Sequence, residues 1–272
     1  MENIAQSLNR DTLLTAVELF AFIYSVLILF AYHRRSISTS QELTNAIIER
    51  SWKSEQVVVF AAGFFISMYF LSIAFLAFGL NGKQGALLAS TILAAVVQII
   101  IVRHISRERG KTWGEDFGMD RKNIKRAALA LIICIVTLPI IAKASFFYQQ
   151  LLENYFHTSL NNQDIVEQIV HSKLWIKTGL TVTTITLIPL CEELLFRGVL
   201  FPYLTRKVGL TASILIVSAV FAFVHQNLAS AFAIFLLSGV LCLAYWRTGT
   251  LWVSIAIHAL FNSTSLLMIF RG

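Results

Sequence analysis

The chain has 272 residues, of which 57% are hydrophobic and only 14% charged. A soluble domain carries about a quarter charged residues, so this composition excludes an ordinary soluble enzyme. The net charge of +7 is not a nucleic-acid signal, because the basic residues gather at the ends of apolar stretches, where membrane topology accounts for them.

Apolar stretches long enough to cross a bilayer recur along the whole sequence. They predict an all-α fold, a polytopic transmembrane helical bundle. About eight spans are expected, near residues 12–32, 56–80, 84–103, 126–147, 174–196, 210–227, 229–246 and 249–270. The first is too long for a signal-peptide core and lacks a small-residue cleavage site, so it is read as a retained span. Glu18 within it has no polar partner nearby in sequence and is read as structural or interfacial. Of the 22 Lys and Arg residues, Arg10, Lys83, Lys143, Lys173, Lys177 and Arg271 fall on one side and the rest on the other. The positive-inside rule then places the basic loops in the cytoplasm and both termini outside. Short loops suggest a bacterial plasma-membrane protein. Between the fourth and fifth spans, Ile165, Val166, Ile169 and Val170 recur at helical spacing, as in a helix lying on the outer membrane face or an ordinary loop.

Three cysteines, Cys134, Cys191 and Cys242, lie in apolar runs without a C-x-x-C pair. They argue against disulfides and against a thiolate zinc site. The neighbouring Glu192 disfavours a thiolate at Cys191.

The fifth run is unusual. From Leu174 to Leu204 it is about 46 Å long as a helix, against a hydrocarbon core of about 30 Å. Pro189 predicts a kink or break there, with a short interfacial helix after Gly198. Just beyond the proline come two carboxylates, Glu192 and Glu193. Charges at membrane depth cost several kcal/mol each and are usually functional. Glu193 and Arg197 share a helix face and can pair, whereas Glu192 points about 100° away. Phe221 and His225 repeat the four-residue spacing on the next span, and His258 and Asn262 repeat it on the last. Each pattern alone can be structural glue. Together they supply a base, hydrogen-bond donors and possible metal ligands on three helices. The threonines Thr181, Thr183, Thr184 and Thr186 satisfy backbone and line the approach.

The runs Glu192–Arg197, Phe221–His225 and His258–Asn262 resemble, in order, the three motifs of the CPBP intramembrane protease family, which includes Abi-type proteins and the type II CAAX prenyl endopeptidase. The resemblance covers about residues 110–270. Residues 1–105 are N-terminal spans outside the motifs. It implies an endopeptidase in which Glu192 is the general base and holds the attacking water with His225. His258 and Asn262 would stabilise the oxyanion, while Glu193, Arg197 and Phe221 shape the site. The family is often labelled as metalloproteases, and Glu192, His225 and His258 are the residues that would ligate zinc. The resemblance to the CAAX protease favours metal-free water activation and no cofactor. The implied substrate is a membrane-associated peptide, prenylated or a peptide precursor, met in the lipid bilayer. Two other readings use the same polar cluster: a proton-coupled transporter, and a non-catalytic scaffold or immunity protein.

Overall fold

The computed structural model describes residues 37–77, 84–120, 128–156 and 172–271. The first expected span, Glu18 and the segment around Ile165 lie outside these residues. In chain order the helices are α1 (Ile37–Ile48), α2 (Ser54–Ala77), α3 (Gln84–Glu108), α4 (Trp113–Phe117), α5 (Leu129–Phe156), α6 (Leu174–Ile185), α7 (Leu187–Glu193), a π-helical turn (Leu194–Leu200), α8 (Phe201–Val208), α9 (Leu210–Val224), α10 (Leu228–Thr248) and α11 (Leu251–Arg271). Every expected span after the first falls on a helix, and no strand occurs among the described residues.

Among the described residues, five segments are long and apolar enough to cross a membrane: Gly85–Glu108, Ile132–Phe156, Leu174–Val208, Leu228–Thr248 and Leu251–Met268. Their outward faces carry large apolar side chains such as Ile100, Ile135, Val182 and Leu267. Such surface is stable against lipid and costly against water. With every described element a helix, most backbone polar groups are satisfied within segments, as a bilayer demands. The chain is an all-α integral membrane protein.

The α6–α8 run is the axis of the packing. The α2–α3 pair lies along it, and α9, α10 and α11 contact the π turn. One apolar cluster surrounds this turn and joins Trp52, Phe60 and Phe117 from the N-terminal part to Leu194, Phe196, Val199, Phe221 and Tyr245. A second cluster, around Cys134, Leu237, Leu241 and Ile257, seals α5 against α10 and α11. The N-terminal helices therefore share the core of the motif-bearing helices.

The ends of the helices follow local chemistry. Thr112 and Glu115 form a reciprocal capping box that starts α4. Asn227 accepts the Ser230 amide at 2.9 Å to start α10. Gly249, at φ 64°, ends α10. Arg50 donates to the Gly249 carbonyl at 2.7 Å and to the Tyr245 hydroxyl at 3.1 Å, pinning α1 to this turn.

Candidate active site

The fifth run does not break at its proline. The interruption falls at Thr186, where φ is −117° and ψ −67°. Pro189 offers no N–H to the Ile185 carbonyl four residues earlier and crowds it. The disturbance therefore appears one turn upstream, and Pro189 itself sits comfortably in the first turn of α7. The Thr184 carbonyl beside this break receives the Asn262 side-chain amide at 2.9 Å. Asn262, singled out from sequence as an oxyanion donor, thus has one amide hydrogen committed to repairing the break.

A second departure begins immediately after the glutamates. Leu194–Leu200 is π-helical, with the Phe201 amide bonded to the Phe196 carbonyl. The backbone then stays helical through Gly198 into α8, so the short helix expected beyond Gly198 is a continuation of the same rod. Isolated π turns inside α-helices recur at functional sites.

Glu193 and Arg197 are both 0% exposed, and Glu193 Oε1 accepts from Arg197 Nη1 at 2.8 Å. The same oxygen lies 2.9 Å from His258 Nδ1. Arg197 Nη2 donates to the Ser238 hydroxyl at 2.7 Å and to its carbonyl at 3.3 Å. The guanidinium also lies over the Phe221 ring, 4.4 Å from its centroid. The expected ion pair is therefore one part of a chain, Ser238–Arg197–Glu193–His258, that ties the π turn to α10 and α11. Ser238 was not anticipated.

Glu192 faces elsewhere, as the helical geometry requires. Its side chain is 17% exposed, and Oε2 stands 3.6 Å from His258 Nε2. His258 is thus set between the two carboxylates, with its Nδ1 hydrogen directed to Glu193. The resemblance pairs Glu192 with His225, but the imidazole in ion-pair range of Glu192 is His258.

His225 caps the C-terminus of α9, and its Nδ1 lies 2.7 Å from the Phe221 carbonyl. That bond commits Nδ1–H to the backbone and leaves Nε2 for other work. Its ring packs 4.7 Å from Phe221, and the His258 ring packs 5.8 Å from the same phenylalanine. Phe221 is fully buried and meets the Phe196 ring edge-on at 4.8 Å. One aromatic ring thus braces both histidines and the arginine.

Among the described residues, no three His, Cys, Asp or Glu side chains are gathered to hold a metal ion. The Nδ1 contacts of His225 and His258 leave Nε2 of each ring as the nitrogen that would face a metal or a water. The three cysteines are buried and unpaired by disulfides.

Residues 174–264 match the family model for type II CAAX prenyl endopeptidase Rce1-like proteins. The match covers about a third of the chain and contains all three motifs. It supports the CPBP and CAAX-protease family read from those motifs. With the apolar helices, it supports a CAAX-type intramembrane protease in general terms, a family that implies a membrane-associated peptide substrate and a lipid environment. No curated protein and no solved structure matches the chain.

Proposed function

We propose that the protein is a glutamate-dependent intramembrane endopeptidase in which Glu192 activates water. The observation that carries this reading is the pair of unlike glutamates about His258: Glu193 fully buried, its Oε1 shared by Arg197 and His258, and Glu192 partly open and facing Nε2 across 3.6 Å. That separation exceeds a hydrogen bond, and a single water can bridge it.

Glu192 takes a proton from this water as its oxygen attacks the peptide carbonyl carbon. The C=O π pair becomes the oxyanion. The donor for that oxyanion is the second Asn262 amide hydrogen, joined by His258 Nε2 when that ring carries both protons, since its Nδ1 hydrogen is held by Glu193. Collapse of the intermediate breaks the C–N bond, and the proton held by Glu192 passes to the leaving nitrogen, giving a carboxylic acid and an amine. His225, through Nε2, shares in holding the water. Arg197 pairs with Glu193 and Glu193 holds the His258 ring, so neither needs to touch substrate.

The substrate is a peptide presented at the membrane, a prenylated CAAX-type tail or a peptide precursor. The basic loops face the cytoplasm. Purified protein in liposomes, offered a farnesylated CAAX peptide and its unlipidated counterpart, tests the reading. Wild type cuts, while Glu192→Ala and His225→Ala lose at least about a hundredfold in rate. Equal rates in both variants and wild type would overturn the mechanism, and loss of activity on adding a zinc chelator would overturn its metal-free form.

A further inference from the structure

The carbonyl of Gly198 lies inside the π turn, directly after Arg197. In an α-helix its donor would be the amide of residue 202, but that residue is Pro202 and has no N–H. A buried carbonyl left without a donor is costly. A donor to this carbonyl comes from far away in sequence: Trp52 Nε1 donates to Gly198 O at 3.0 Å. Trp52 is 2% exposed and is itself held on several sides. Its ring stacks on Phe117 with centroids 5.9 Å apart, and the Arg109 guanidinium lies 4.2 Å over it. Arg109 pairs with the buried Asp116 at 3.3 Å, and Asp116 accepts from Ser106. Gly198 makes room for this group, since a Cβ there would stand 2.8 Å from the Phe117 ring.

We propose that Trp52 is a positioning residue for the glutamate–histidine site. Its indole N–H stands in for the backbone donor that Pro202 lacks, and so fixes the π turn that presents Arg197 to Glu193 and Ser238. Trp52 lies outside the family-matched segment, so the working unit extends into the N-terminal helices. Its effect on hydrolysis rests on the protease reading, whereas its effect on the turn does not.

The test separates hydrogen bonding from packing. Trp52→Phe keeps an aromatic ring and removes the donor, while Pro202→Ala adds a backbone N–H at the position that is the α-helical donor to the Gly198 carbonyl. In the full-length protein, N-ethylmaleimide labelling of Cys191, beside Glu192, and of Cys242, beside Arg197, reports the looseness of the turn. Cys134, in the other apolar cluster, is the internal control. Trp52→Phe should raise labelling of Cys191 and Cys242 about tenfold, the scale of one lost buried hydrogen bond, and leave Cys134 unchanged. Adding Pro202→Ala should return both to the wild-type rate. With the farnesylated peptide as probe, Trp52→Phe should lower kcat about tenfold with KM unchanged, and the double variant should recover it. The inference is overturned if Trp52→Phe labels like wild type, if the double variant stays as reactive as the single, or if neither variant folds. Should wild type cut nothing while the labelling pattern holds, the positioning role stands and the protease reading falls.

Discussion

His258 Nδ1 and Glu193 Oε1 meet at 2.9 Å, although 65 residues separate them in the chain. The contact joins the last helix to the π turn and places the imidazole within reach of Glu192. Because Glu193 Oε1 also holds Arg197 at 2.8 Å, the two glutamates should respond differently to neutralisation. Glu193→Gln leaves a fully buried guanidinium without its counter-charge and should destabilise the protein by about 3–5 kcal/mol. Glu192→Gln, at a partly exposed position, should change stability by less than about 1 kcal/mol and still abolish cleavage. Unfolding in detergent, read beside peptide hydrolysis, checks both; equal losses of stability would contradict this division of roles.

Asn262 bridges the last helix to the break in the fifth run. Removing its amide in Asn262→Ala should free the Thr184 carbonyl and cost about 1–3 kcal/mol. Hydrogen exchange at residues 184–190 should quicken while that of α10 stays slow. Unchanged exchange at the break would show that Asn262 serves the reaction alone.

Gly118 follows α4 at φ 68°, and a Cβ built on it would lie 1.9 Å from the Gly249 carbonyl oxygen. This is backbone against backbone, with no side chain to yield. Gly118→Ala should destabilise by more than about 2 kcal/mol, detected as a lower unfolding midpoint, whereas Gly110→Ala, with nothing within 4 Å of its Cβ, should cost only the left-handed backbone, about 1 kcal/mol. Similar losses at the two glycines would mean that the α4 turn is not packed against Gly249.

The α4 cap gives a pH dependence outside the membrane. The Thr112 backbone amide and hydroxyl, each donating to Glu115 Oε2 at 2.8 Å, hold its carboxyl below the usual glutamate range. With the folded value depressed, the cap is fully formed above the ordinary glutamate pKa and is lost as pH falls through the lower, folded value. Protection of the Gly118 amide should therefore decline in acid below the ordinary range. Glu115→Gln should remove that decline, and a variant that keeps it would assign the titration elsewhere.

The motif spacings read from sequence brought the right helices together, because four-residue spacing is a direct consequence of helical pitch. Glu193 with Arg197 and Phe221 with His225 needed nothing more. Ser238 carried no signal: a lone serine in an apolar helix has many structural uses, and its partner is 41 residues away. The π turn was equally hidden, since hydrophobic periodicity over seven residues does not separate it from an α-helix. Pro202 and Gly198 held the clue, a carbonyl without its α-helical donor, but the donor that answers it, Trp52, is 146 residues distant. Pro189 was recognised as a disturbance and its effect placed one turn late, because the group it deprives of a bond is the carbonyl behind it. The association of His258 with Glu192 depended on how far α9 and α11 rise beside the fifth run, which pattern alone does not set.

The helix that ends at His225 is unusually short. Leu210–Val224 has 15 residues, about 22 Å, against a hydrocarbon thickness of about 30 Å. A neighbouring bilayer meets that mismatch by thinning, drawing headgroups and water down toward the short helix end. On the proposed reading of α9 as a span, such thinning would bring the membrane surface toward His225. On the protease reading, a peptide bond tethered at the lipid surface would then need only a shallow descent to reach the glutamates, and hydrolytic water would have the same short route.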